Sequence, residues 1–172
     1  MLDLGGISVI PDETSNDTGL FLQGFNEVEA LTYSILELFP EDDLTEHAGN
    51  IRQFLNRARF IQALIKSSGI EHGKQLYDLL ERAISLSTYR NKLSHNPLRI
   101  SVFKDSSGSV AAQTTLVGAK GDKEYPDVIE QLPTKIKEIT SIVDCLYGVV
   151  YEIRMGIESN NALKSQTPEG AA

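Results

Sequence analysis

Apolar side chains recur every three or four residues along four stretches of the chain, the spacing that places them on one face of an α-helix. The first stretch covers about residues 17–39, and the second begins near residue 45. The third begins near residue 70, and the longest covers about residues 126–157. In the first stretch the inward-facing positions are Phe21, Phe25, Val28, Thr32, Ile35 and Phe39. The pattern therefore predicts four amphipathic helices, each with one buried face.

The period changes between the third and fourth helices. Residues 100–104 (ISVFK) and 110–117 (VAAQTTLV) are β-branched or alternate, and they flank the turn sequence DSSG. This arrangement predicts a β-hairpin at about residues 99–117, which must pack against the helices because a lone hairpin is only marginally stable. The predicted fold is therefore all-α, a four- to five-helix up-and-down bundle with an inserted hairpin.

The two ends of the chain differ from this core. Residues 1–16 and 159–172 are polar, contain Pro and Gly, and show no sustained periodicity. We therefore predict a flexible N-terminal segment, a single bundle domain over residues 17–158, and a disordered C-terminal tail.

The amino-acid composition argues against several kinds of protein, namely those with disulfides, metal sites or membrane spans. Cys145 is the only cysteine among the 172 residues, so neither an internal disulfide nor a cysteine-based zinc site is expected. His47 and His72 are predicted to lie on the surface without paired carboxylates, so we expect no metal site and no cofactor. The acidic N-terminus does not resemble a secretory signal, and no apolar run is long enough to cross a membrane. A cytoplasmic protein is expected.

Charge is distributed unevenly along the chain. The net charge is −8, and residues 1–51 contain eleven acidic side chains and no Lys or Arg. Residues 52–104, in contrast, contain ten basic and three acidic side chains. Such a basic segment indicates an anionic ligand, or else basic helices that pack beside acidic ones within the fold.

The basic segment contains the sequence RNKLSH, residues 90–95, at the end of the third helix. Counting about 100° per residue from Leu76 places Arg90 near −40° and Asn91 near +60°, in continuation of the apolar stripe. A guanidinium at such a position needs a partner, a cleft or an interface, because burying an unpaired charge is costly. One structural alternative is an ion pair between Arg90 and an acid of the first helix, Glu29 or Glu37.

His95 is predicted to end the third helix, because Pro97 disfavours helical angles at the residue before it. Asn91 lies one turn earlier and could fix the orientation of the imidazole. Arg90 and His95 would diverge by about 140° on a regular helix, but a turn of the backbone at the helix end would let the Arg90 side chain reach the imidazole. Alternatively, His95 is a helix-end residue that hydrogen-bonds a carbonyl group.

An arginine followed by a polar residue, three further residues and a histidine, at the end of a bundle helix, resembles the R-x4-6-H motif of the HEPN superfamily. The resemblance covers about residues 17–158. Well-known members of that family are metal-independent ribonucleases of toxin–antitoxin, abortive-infection and other defence systems, whereas others bind RNA or nucleotides without catalysis. Toxins that are controlled by nucleotidyl transfer have a tyrosine two residues after the histidine. Here Pro97 occupies that position, and Tyr89 is not a substitute for it.

The resemblance implies a catalytic role for Arg90, Asn91 and His95. Arg90 and Lys92 are predicted to bind RNA, together with Arg57 of the second helix, which could add to a basic cleft or else lie on a solvated face. His95 would transfer protons, Arg90 would bind the phosphate, and Asn91 would orient His95 or a phosphate oxygen. A single histidine does not easily perform both proton transfers, so a homodimer with a composite site is expected.

Three functions follow from these considerations. The first is a homodimeric endoribonuclease, with RNA as substrate and an antitoxin or other regulatory protein as a further partner. The second is a non-catalytic HEPN-like module that binds RNA, nucleotide or a protein. The third is a bundle that only mediates assembly.

Overall fold

A computed structural model describes residues 12–39, 51–96, 98–104, 106, 108–118 and 124–165. These residues form four helices, α1 (Asp12–Leu36), α2 (Phe54–Ser68), α3 (Gly73–His95) and α4 (Pro126–Ser165). They also form a three-stranded antiparallel sheet of β1 (Leu98–Lys104), β2 (Val110–Val117) and β3 (Glu124–Tyr125), in that order. A mainly helical fold with a β-hairpin is therefore confirmed.

The described residues divide into two compact units, where the sequence predicted one domain. The first unit lies within residues 1–25 and 86–139, and the second lies within residues 26–85 and 140–172. Both units draw on α1, α3 and α4, because each of these helices has residues on either side of a division point.

The first unit has a core built around aromatic side chains. The ring of Tyr89 packs edge-on against Phe21 at a centroid distance of 5.0 Å, and its hydroxyl donates a hydrogen bond to the Val128 carbonyl. Burial raises the pKa of Tyr89 above its usual range, and Asp127 adds to the effect. Gly24 allows α1 to approach α4 closely, since an added Cβ would lie only 3.1 Å from Ile139 Cγ2.

The hairpin of the first unit has the predicted position and a regular register. Leu98 lies opposite Leu116, and Lys104 lies opposite Val110. The short strand β3, which was not predicted, pairs Tyr125 with Leu116. A two-residue strand carries no periodic signal, so sequence alone could not reveal it.

The second unit buries apolar side chains from all four helices, and the most completely buried are Val28, Ile35, Ala58, Ile61, Leu76, Leu80, Ala83, Ile142 and Leu146. Its helix α2 begins at Phe54, because Gln53 is extended (φ −80°, ψ 123°) and serves as the N-cap. Ile51 therefore lies before the helix, and Leu55 on its first turn is exposed. The predicted start near residue 45 lies outside the described residues.

Two helices extend beyond their predicted ends. α1 begins at Asp12, so residues 12–16 are helical. α4 continues to Ser165, so residues 159–165 are helical. No glycine or proline interrupts the sequence between residues 158 and 165.

Candidate functional site

Helix α3 ends at His95, as predicted. The Asn96 side chain donates a hydrogen bond from Nδ2 to the Lys92 carbonyl at 2.7 Å. That carbonyl is one of the last four of the helix, which have no partner within the helix itself. Asn96 therefore closes the helix and fixes the backbone from which the His95 side chain projects.

The buried face of α3 changes along the helix. The motif was predicted to lie on the buried face, and this prediction was wrong. Leu76, Leu80 and Ala83 define one face in the second unit, whereas Leu86 and Leu93 are buried in the first. At about 100° per residue, the second pair lies roughly 90° from the first group. The motif therefore does not continue the earlier stripe, and Asn91, Ser94 and His95 are exposed while Arg90 is half-buried.

Arg90 is held by an aromatic ring and by its neighbour in sequence. Its guanidinium carbon lies 5.8 Å from the centroid of Phe25, which is a cation–π distance. Its Nη1 donates a hydrogen bond to Asn91 Oδ1 at 3.3 Å. Asn91 thus contacts Arg90, whereas it was predicted to orient the imidazole of His95.

His95 lies on the last turn of α3 with an exposed side chain. Because the helix remains regular up to His95, the Cβ atoms of Arg90 and His95 project about 140° apart. The backbone turn that was expected to bring the two side chains together comes only after His95. Regular helix geometry therefore directs them to different faces within one chain.

Lys92 is the second cation of this helix end. It is half-buried, and its Nζ lies 5.4 Å from the centroid of the Tyr125 ring on β3. Both predicted RNA-binding cations of the motif are therefore placed beside aromatic rings. Tyr125 could not be predicted as a partner of Lys92, because its position depends on the pairing of β3 with β2.

Arg57, the third residue predicted to bind RNA, belongs to the second unit and is 1% exposed. Its Nε donates to Thr32 Oγ1 at 2.6 Å, and its Nη1 donates to the Tyr33 hydroxyl at 2.9 Å and to the Ile51 carbonyl at 2.7 Å. The guanidinium also stacks 3.9 Å from the Tyr33 ring centroid. These contacts give Arg57 an internal role, so we leave it out of the candidate site.

The described part of the chain contains no group of three or more His, Cys, Asp or Glu side chains that could hold a metal ion. Within the same residues, no helix is long and apolar enough to span a membrane. The candidate site consists of an imidazole, a guanidinium, an ammonium group and an amide. Such a set can bind a phosphodiester and transfer protons.

No family model, curated protein or solved structure matches this chain. The resemblance to the HEPN superfamily therefore depends on the R-x4-H motif and its place at the end of a helix.

Proposed function

We propose that the protein is a metal-independent endoribonuclease of the defence or toxin type, which acts as a homodimer with Arg90, Asn91 and His95 at its active site. The observation that supports this proposal is the helix end itself. An exposed imidazole lies on the last turn of α3, and two cationic side chains of the same segment, Arg90 and Lys92, lie beside aromatic rings. The proposal includes the up-and-down arrangement of a HEPN bundle, a cytoplasmic location and control by an antitoxin-like protein.

The chemistry is transfer of the phosphodiester to the neighbouring hydroxyl of RNA. The ribose 2′-oxygen attacks phosphorus, the bond to the 5′-oxygen breaks, and the products are a 2′,3′-cyclic phosphate and a free 5′-hydroxyl. One imidazole accepts the proton of the 2′-hydroxyl, and a second donates a proton to the leaving oxygen. Arg90 neutralises the charge that develops on the phosphate oxygens, and Asn91 supports its guanidinium through the Oδ1 contact.

A second chain is part of the proposal for a geometric reason. Arg90 and His95 project about 140° apart on a regular helix, and one histidine does not readily serve both proton transfers. Two copies of the motif supply two imidazoles and two guanidinium groups around one phosphate. His95 of one copy then works with Arg90 of the other.

Incubation of the purified protein with a mixed-sequence RNA in the presence of a chelator tests this function. Wild type is expected to cleave, and His95→Asn is expected to reduce the rate by about 10²-fold or more, the usual contribution of general acid–base catalysis. His72→Asn is the matched control, because His72 is exposed and has a positive φ of 58°, which asparagine tolerates. Intact RNA with wild type, or equal rates for the two variants, would contradict the proposal.

A non-catalytic RNA-binding module is the alternative that one observation favours. The divergence of Arg90 and His95 within one chain does not impair binding, for which cations beside aromatic rings are sufficient. This function predicts that RNA is bound but left intact. Lys92→Ala would then weaken binding and reduce its dependence on salt concentration, whereas His95→Asn would change neither.

A further inference from the structure

Helix α4 has a second apolar face, in addition to the one that is buried. Within the second unit its buried side chains are Ile142, Val143, Leu146, Val149, Val150 and Ile153. Away from these, Tyr147 is 54% exposed, Tyr151 is 65% exposed and Met155 is 43% exposed. The three residues are spaced four apart, so they form one continuous stripe along the outside of the helix.

Two charged residues extend this stripe. At about 100° per residue, Asp144, Tyr147, Tyr151, Arg154 and Met155 all fall within a sector of roughly 100°. We call these five residues the outer stripe. Large aromatic side chains bury 150–250 Å² each at interfaces, and isolated soluble chains rarely leave several of them exposed in a row. The outer stripe therefore has the composition of a contact surface.

We propose that the outer stripe binds the outer stripe of a second copy of this chain, with the two α4 helices antiparallel. The argument is the symmetry of the stripe about Val149. In an antiparallel pair with its twofold axis at the level of Val149, Tyr147 of one copy is level with Tyr151 of the other. Asp144 is level with Arg154 in the same arrangement. A twofold axis repeats both pairings, which gives two aromatic pairs and two pairs of opposite charge.

The surroundings of the stripe are compatible with close helix packing. Gly148 is exposed, and a Cβ added to it would meet no atom within 4 Å, so the helix is narrow near the axis. Arg154 Nη2 lies 3.4 Å from Glu37 Oε2, but both side chains are about half exposed or more. An exposed pair of this kind contributes little to stability, so it does not prevent Arg154 from turning toward a second copy.

This inference rests on the homodimer of the proposed function: the outer stripe, which belongs to the second unit, is the contact that holds the two copies together. The contact is small, since residues 144–155 extend along only about 17 Å of helix. We therefore expect a dimer that dissociates on dilution, with a dissociation constant in roughly the micromolar range, and not a permanent assembly.

Sedimentation velocity of the full chain over roughly 1 to 100 µM tests the proposal. Wild type is expected to shift from monomer to dimer as the concentration rises. Asp144→Arg and Arg154→Asp each place like charges opposite one another, and each is expected to weaken dimerisation about tenfold or more. The double variant restores opposite charges and is expected to dimerise like wild type.

Two control variants test whether a loss of dimerisation is specific to the outer stripe. Glu152→Arg changes the same charge on the same helix outside the outer stripe, and it is expected to leave dimerisation unchanged. His95→Asn is also expected to dimerise normally, so loss of catalysis and loss of this contact are measured independently. Single variants that dimerise normally, or a double variant that stays monomeric, would overturn this contact and leave the ribonuclease proposal standing. A monomeric wild type would overturn both this contact and the homodimer of the proposed function.

Discussion

At the scale of single residues, the buried Arg57 is the clearest case of a side chain whose role is structural. Its guanidinium donates to Thr32, Tyr33 and the Ile51 carbonyl. We expect Arg57→Ala to lower the free energy of unfolding by about 3 kcal/mol, because it leaves a cavity and removes donors from these oxygens. Urea denaturation followed by circular dichroism measures the change.

The matched control for Arg57 lies on the same helix. Arg59 is half exposed and pairs with Glu81 at 2.6 Å, so Arg59→Ala is expected to change stability little. Arg57→Met keeps most of the side-chain volume and separates the cavity from the lost hydrogen bonds. If Arg57→Ala were no more destabilising than Arg59→Ala, the internal role of Arg57 would be wrong.

The buried Tyr89 predicts how stability depends on alkaline pH. Its pKa is raised in the folded chain, chiefly by burial, whereas in the unfolded chain it is about 10. Above pH of about 10 the unfolded state loses the phenol proton first, so stability falls as pH rises. Tyr89→Phe is expected to lose about 1 kcal/mol at neutral pH through the missing bond to the Val128 carbonyl.

Denaturation of wild type and Tyr89→Phe at neutral and alkaline pH tests this prediction. The difference in stability between the two proteins should become smaller as pH rises, because the variant has no phenol to ionise. A constant difference would show that Tyr89 ionises equally in both states.

The motif was predicted to lie at the end of α3, and it does, but the exposure of its side chains was not predicted. The positions of Arg90, Asn91 and His95 on α3 follow from helix counting. Their exposure does not, because it depends on which elements cover the helix. Leu86 and Leu93 are buried in the first unit on a different face from Leu76, and one periodic stripe extended along the whole helix cannot represent that change.

At the scale of elements, the C-terminus of α2 depends on a left-handed residue. Gly69 has φ of 60° and ends the helix. Gly69→Ala is therefore expected to lower the free energy of unfolding by about 1 kcal/mol, since an alanine is strained at that angle. Gly19→Ala is the matched control, because Gly19 lies within α1 and an added Cβ would meet no atom within 4 Å.

The same substitution is expected to have opposite effects at these two glycines. Gly19→Ala should raise the free energy of unfolding by about 0.5–1 kcal/mol, because alanine has the higher helix propensity. Thermal or urea denaturation of both variants gives the sign directly. A stabilised Gly69→Ala variant would contradict the left-handed cap.

Elements with a strong local signal were predicted well, and the rest were not. Pro97 and the alternating residues of the hairpin act through local sterics and pairing, so the end of α3 and the strands β1 and β2 were recognisable. The start of α2 depends on the extended Gln53 and on the burial of Arg57, and both are consequences of tertiary packing. β3 exists only because it pairs with β2.

At the scale of the whole molecule, the division into two units could not be predicted. Three of the described helices run through both units without a change in composition at the division points, so no linker signal is present. The motif, the hairpin and the aromatic partners of Arg90 and Lys92 belong to the first unit, whereas the outer stripe of α4 belongs to the second. The motif residues and the proposed contact between copies are therefore carried by separate parts of the fold.

The most direct test of the composite ribonuclease site is to mix wild type with increasing amounts of His95→Asn under conditions of subunit exchange, and to measure the rate of RNA cleavage. If one active site needs an imidazole from each of two chains, the rate per total protein will fall as the square of the wild-type fraction. A linear fall would mean that each chain acts alone, and no cleavage at any ratio, wild type included, would contradict the ribonuclease itself.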